Sequence, residues 1–123
     1  MYQYYFEKLD VWNRSMDLSV KVYQFTKTLP HEEKYGIVSQ LNRAIVSVSC
    51  NLVEGLSRQT PKDQARFTTY SYGSLMESLN LIILCQQLQL INNEKYQELR
   101  LHINEVANKL NALRKSQLSK IKN

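Results

Sequence analysis

The segment Ser39 to Arg58, SQLNRAIVSVSCNLVEGLSR, restricts the fold more than any other part of the chain. Wound at about 100° per residue, it sets Gln40, Arg43, Ser47, Asn51, Glu54 and Arg58 along one narrow line. Val38, Leu41, Ile45, Val48 and Leu52 lie opposite, and Val46, Val53 and Leu56 widen the apolar surface sideways. A helix of an isolated small bundle needs one apolar face. This helix has enough for two contacts, which predicts a helical bundle that assembles with copies of itself or with a partner. It specifies no reaction and no substrate.

Three glycines and two prolines among 123 residues leave little turn chemistry for a sheet of hairpins, so few connections and long helices are expected. One domain of this length buries a core without disulfides or metals. Helix one is predicted over about 10–29, its seam Val11, Ser15, Leu18, Val22, Phe25 and Leu29 following alternating steps of four and three. Its outer face pairs Asp10 with Arg14 and Asp17 with Lys21 at i,i+4 spacing. Helix two is expected over about 33–55, favoured at its start by Glu32 and Glu33 and stopped by Gly55. Helix three, about 61–90, begins at Thr60-Pro61-Lys62-Asp63: a cap, a proline at the first helical position and an acid in the first turn.

The seam of helix three is Ala65, Thr68, Tyr72, Leu75, Leu79, Ile82 and Gln86. Gly73 stands in mid-helix at a cost of about 1 kcal/mol relative to alanine, and a close backbone approach by another helix accounts for it. Helix four, about 93–118, repeats Tyr96, Leu99, Ile103, Val106, Leu110, Leu113 and Gln117. That seam fades past Leu113, so the last residues are expected to fray. The fold expected is all-α: one domain over residues 1–123, an antiparallel up-down-up-down four-helix bundle.

The formal net charge is +5. From Val106 onward Lys109, Arg114, Lys115, Lys120 and Lys122 occur without an acid. These cations either complement the helix dipole or touch phosphate. Cys50 and Cys85 lie in apolar helical segments and match no metal or redox spacing, so buried reduced thiols are expected. The start, MYQYYFEKLD, lacks the basic and apolar regions of a signal peptide. The longest strongly apolar run, Leu81 to Cys85, is far below the roughly 20 residues that span a bilayer. A cytoplasmic protein without a membrane partner is expected.

Catalytic constellations are missing. Of the two histidines, His31 and His102, neither follows a glutamate by three residues as a di-iron bundle requires. No arginine precedes either at the interval of helical ribonuclease-type toxins, and neither a phosphate-cradling glycine loop nor a nucleophile-type serine motif occurs. The chain reads as a non-enzyme with no cofactor and no metal.

Two readings of the helix-two stripe stand side by side. In the structural one, Gln40, Ser47, Asn51 and Glu54, with Glu77 from helix three, form a buried or subunit-bridging polar network that also takes in Arg43. In the functional one, Arg43 and Arg58 contact phosphates, joined by Arg114 and Lys115 from the tail. The mixed charge of the stripe favours the first. Arg14, Lys21, Lys62 and Arg66 are expected on solvated faces, and Tyr2, Tyr4, Tyr5 and Phe6 are expected to pack back on the bundle rather than stack on bases.

An ordered set of short motifs carries a resemblance. It comprises Phe6-Glu7-Lys8-Leu9 with Val11-Trp12, Leu29-Pro30, Glu33-Lys34-Tyr35-Gly36-Ile37, Ser39-Gln40, Arg43-Ala44 and Ser47-Val48. Asn51-Leu52, Glu54-Gly55, Arg58, Gly73-Ser74-Leu75 and Glu77 complete it, over about residues 6 to 91. In this order the pieces resemble the four-helix-bundle proteins of 23S ribosomal RNA intervening sequences. The resemblance implies an antiparallel four-helix bundle assembled as a homopentameric ring. The family is also similar to the accessory variability determinant of diversity-generating retroelements, a basic pentamer that binds nucleic acid and a reverse transcriptase. Many relatives have two successive basic residues where this chain has Asn42-Arg43. The function expected is a homo-oligomeric, pentameric helical scaffold with sequence-independent affinity for RNA or DNA. The alternative is an adaptor presenting a helical surface to a protein partner such as a polymerase.

Overall fold

A computed structural model describes residues 1–122. Four helices make up an antiparallel bundle: α1 Asp10–Thr26, α2 Ser39–Leu56, α3 Pro61–Gln87 and α4 Asn93–Ser119. No strand occurs among the described residues. Leu18 and Val22 of α1, Leu41, Ile45, Val48 and Leu52 of α2, Leu75 and Ile82 of α3, and Leu99, Ile103, Val106 and Leu110 of α4 are fully buried. These residues are the inner stripes of the four amphipathic helices, brought together because each stripe has no other way to leave water. No helix among the described residues is long and apolar enough to cross a membrane.

The helix starts follow their local chemistry. Asp63 N–H donates to Thr60 Oγ1 at 3.2 Å ahead of Pro61, and Lys95 N–H donates to Asn92 Oδ1 at 2.7 Å. Each bond satisfies a donor that the first helical turn leaves unpaired.

The ends depart from expectation. Helix α1 stops at Thr26, not near residue 29, because Leu29 N–H closes a tighter turn onto the Thr26 carbonyl at 3.1 Å ahead of Pro30. Between α1 and α2, His31–Glu33 form a 3-10 turn and Lys34–Val38 a π turn, broken at Gly36 with ψ −106°, so regular α-helix begins only at Ser39. Helix α3 ends at Gln87: Gln89 turns left-handed at φ 59°, and Leu90 N–H bonds back to the Cys85 carbonyl at 2.8 Å. That pattern closes a helix most readily with glycine at the left-handed position; a glutamine there gives no such signal in the sequence.

Small hydroxyls tie three of the four helix seams. Ser19 Oγ donates to the Ile45 carbonyl at 3.4 Å and Thr26 Oγ1 to Asn42 Oδ1 at 3.0 Å, joining α1 to α2. Ser71 Oγ donates to the Val48 carbonyl at 2.6 Å, joining α2 to α3, and Thr68 Oγ1 to Gln117 Oε1 at 2.7 Å, joining α3 to α4. Gln117 is 4% exposed, so the end of α4 is packed down rather than frayed. The fourth seam, α1 against α4, is ionic: Arg14 meets Glu105 at 2.8 Å, Lys109 meets Asp10 at 2.6 Å and Lys21 meets Glu98 at 3.9 Å. Lys21 thus reaches across to α4 instead of pairing with Asp17.

The glycines exchange their expected roles. Gly55 lies inside α2 and marks the closest approach to α3: a Cβ there would stand 2.7 Å from Phe67 Cβ and 3.2 Å from the Gln64 carbonyl oxygen. A Cβ on Gly73 would meet nothing within 4 Å. Helix α2 is ended instead by Ser57, whose Oγ bonds the Glu54 carbonyl at 2.7 Å.

Much of the sideways apolar surface of α2 and α3 is covered within the chain. Leu81 and Ile82 are buried, and Val53, Leu56, Leu79 and Ile83 are half-buried. Besides Tyr70 and Leu84 on α3, uncovered surface runs along α1 and α2 as a strip of uncharged residues: Trp12, Met16, Ser19 and Tyr23 from α1, with Val46, Cys50 and Val53 from α2. Cys85 is buried but Cys50 is exposed. The N-terminal aromatics also stay out. Tyr2, Tyr4 and Tyr5 are exposed, and a ladder of rings runs from Tyr2 through Tyr4 and Phe6 to Trp12 at centroid spacings of 5.0, 6.3 and 5.2 Å.

Candidate functional site

Alternating helix directions bring the start of α1, the end of α2, the start of α3 and the end of α4 to one end of the bundle. Nine cations collect there: Lys8, Arg58, Lys62, Arg66, Lys109, Arg114, Lys115, Lys120 and Lys122. They face four acids, Glu7, Asp10, Glu54 and Asp63. The seven remaining cations and seven remaining acids balance, so the whole excess of +5 belongs to this end. A net-positive end of this kind concentrates polyanions.

Pairing sorts these cations further. Arg58 holds Glu54 at 2.7 Å, Arg66 holds Asp63 at 2.9 Å, and Lys109 holds Asp10. The Asp10 carboxyl is kept below its ordinary range, first by the hydrogen bond from Lys109 and then by Arg14. Among the described residues Arg114 has no carboxylate partner; its Nε donates to the neutral Thr69 Oγ1 at 2.8 Å. Lys62, Lys115 and Lys120 are exposed, and among the described residues no carboxylate pairs with them.

Aromatic rings sit among these cations. The Arg58 and Arg66 guanidiniums lie 4.6 and 4.9 Å from the Phe67 ring centroid, and Arg66 lies 5.7 Å from that of Tyr70. Phe67 and Tyr70 meet edge to face at 5.4 Å. Arg66 also donates to Tyr70 Oη at 3.4 Å, which, ahead of its bond to Asp63, raises the guanidinium pKa. Arg66 and Tyr70 stand at i,i+4 on α3; that spacing was the only trace of the cluster in the sequence, where Arg66 read as a solvated residue.

Arg58, Arg114 and Lys115 therefore share the basic end, whereas Arg43 does not. It is exposed near the start of α2, about 22 Å from Arg58 along the axis at 1.5 Å per residue. The polar stripe does not link up within one chain. Ser47 Oγ bonds the Arg43 carbonyl at 3.0 Å and Asn51 Nδ2 the Ser47 carbonyl at 2.9 Å, both inside α2. Among the described residues Glu54 pairs only with Arg58, while Gln40 and Glu77 are exposed and hold no side-chain partner.

A cavity of about 590 Å³ forms the open groove between α1 and α4. Two cations, Arg14 and Lys21, meet three acids there, Asp17, Glu98 and Glu105, so the groove offers a polyanion no positive field. His102 lines it with a buried Nδ1 that has no hydrogen-bond partner, and burial, followed by the nearby Lys21 charge, lowers its pKa. Among the described residues no group of three or more His, Cys, Asp or Glu side chains could hold a metal ion.

The fold is similar to that of a solved protein of unknown function from the S23 ribosomal protein family of Bacteroides thetaiotaomicron. The two share 21% sequence identity over 85% of this chain and 98% of that one, with a TM-score of 0.79. No curated protein matches. The model of one family, 23S rRNA-intervening sequence protein, matches residues 7–112, and the chain belongs to that family.

Proposed function

We propose that the chain is a cytoplasmic, non-enzymatic helical scaffold that assembles with copies of itself and holds nucleic acid at its basic end without reading sequence. The observation that carries this reading is the concentration of the entire +5 excess at one end of the bundle. Cations so placed neutralise phosphates and release counterions, a gain that does not depend on base identity. A pentameric ring is what the resemblance to the intervening-sequence family implies, a family itself similar to the accessory variability determinant of diversity-generating retroelements. Self-assembly is supported by the uncharged strip along the α1–α2 seam, which a second copy would cover. Against an enzyme stands the groove between α1 and α4, where, among the described residues, no carboxylate or nucleophile is bonded to Nδ1 of its one histidine, His102.

Native mass spectrometry tests the assembly: five copies are expected, Val46→Glu should dissociate them, and a 14.5 kDa monomer at micromolar concentration refutes it. Mobility shifts with RNA and DNA test the rest. Affinity should fall steeply between about 50 and 200 mM salt, and the absence of any shift at the lower salt refutes binding. A second reading, an adaptor for a protein such as a polymerase, is favoured by the exposed ladder of Tyr2 and Tyr4. It requires one protein recovered in fixed proportion by affinity purification, together with no affinity for free nucleic acid.

A further inference from the structure

Within the basic end, a groove of about 370 Å³ runs between the start of α3 and the end of α4. Ala65 and Leu118 are its apolar lining, Lys62, Arg66 and Arg114 its cations, and Asp63 its one acid, already held by Arg66. Arg66 stands between this groove and Tyr70, whose ring is 46% exposed. We propose that this surface binds single-stranded nucleic acid, with a phosphate on Arg114 and Lys62 and an unstacked base on Tyr70. The proposal rests on the nucleic-acid reading above and adds to it both a place and a strand state.

One feature supplies a phosphate contact and two others select a single strand. Arg114 is anchored through Nε to Thr69, which leaves its two terminal nitrogens to fork onto a phosphate. The groove has the size of a small-ligand pocket, enough for one nucleotide and far too small for a duplex. A duplex, moreover, hides its base faces within the stack, while an exposed tyrosine beside a guanidinium is of use only to a base whose face is free. The cations Lys115 and Lys120 follow on α4 and continue the track for neighbouring phosphates.

The test uses the full chain and fluorescence anisotropy on labelled 15-residue oligouridine, oligothymidine and a duplex of equal length, with uridine monophosphate as competitor. Both single strands are expected to bind about tenfold more tightly than the duplex. Tyr70→Leu should remove that preference while leaving duplex affinity unchanged. Arg114→Gln should weaken all three and lower the slope of log affinity against log salt by about one. Ultraviolet cross-linking with peptide mapping gives a readout independent of variant folding, with the adduct expected on Tyr70. Equal affinity for strand and duplex with an indifferent Tyr70→Leu overturns the groove and leaves the scaffold reading standing; binding of nothing at low salt overturns that reading first. Monophosphate competing as well as the oligomers, or an adduct elsewhere, overturns the strand-binding assignment.

Discussion

Two glycines in neighbouring helices should respond to the same substitution with opposite signs. Alanine is preferred to glycine inside a helix by about 1 kcal/mol, and both Gly55 and Gly73 lie inside helices. At Gly73 the new methyl enters open space, so Gly73→Ala should stabilise by close to that full amount. At Gly55 the methyl would stand 2.7 Å from Phe67 Cβ and 3.2 Å from the Gln64 carbonyl. Neither atom is the far end of a flexible side chain, so α3 itself must move away. Overpacking of that kind costs about 1–3 kcal/mol; with Phe67 Cβ inside contact distance the upper part of that range applies, and the propensity gain offsets about a third of it. A net loss of about 2 kcal/mol follows for Gly55→Ala. For a chain of this length the melting temperature should fall by about 8 °C in one variant and rise by about 4 °C in the other. Chemical denaturation at two protein concentrations separates these effects from assembly. A Gly55→Ala protein as stable as its parent would refute the view that this contact sets the α2–α3 distance. Loss of stability in Gly73→Ala would show instead that something outside the single chain lies against that backbone.

Other outcomes follow from the same geometry. His102 titrates lower in the folded chain than in the unfolded one, near 6.5, because burial opposes its charge; stability should therefore be flat above that pH and decline as pH falls below it. Denaturation midpoints at pH 7.5 and 5.0 should show this decline, and His102→Phe should abolish most of it; an unchanged decline in that variant refutes the assignment. Gln89→Gly should stabilise by about 1 kcal/mol, read as a higher melting temperature, since it relieves a left-handed residue that carries a Cβ. Thr68→Val should cost about 1–3 kcal/mol by stranding the buried Gln117 Oε1, whereas Gln117→Leu should cost less because the Thr68 hydroxyl keeps the Gln64 carbonyl at 3.1 Å, and the double variant regains much of the Thr68→Val loss. A double-mutant cycle on thermal unfolding measures the coupling, and strict additivity would refute it.

The bundle is legible in the sequence because its signals are local. Thr60-Pro61 and Asn92 announce two helix starts, and the spacing of Leu18, Ile45, Leu75 and Leu99 with their neighbours exposes the inner stripes. Where the outcome depends on residues far apart in the chain, the pattern falls silent. Which glycine meets another helix is decided by Phe67, twelve positions from Gly55, and a polar Gln117 becomes a core residue only because Thr68 receives it 49 positions away. The left-handed Gln89 is invisible for a different reason: packing of Leu90 overrides a backbone preference that disfavours glutamine there. The candidate site divides along the same line. Arg58, Arg114 and Lys115 stand out as charges, but their meeting with Lys62, Arg66 and Tyr70, and the separation of Arg43 from them, are products of antiparallel topology.

A rod whose surplus charge lies wholly at one pole has a strong moment along its axis. In the field of a polyanion that moment exerts a torque, so the charged pole swings forward before any atom touches and capture begins from many more orientations. The same asymmetry opposes lateral alignment: sister rods lying in one sense crowd their positive poles together. If the proposed scaffold holds an anionic strand, that strand would remove the repulsion, and cargo and neighbours would be thermodynamically linked, each drawing in the other.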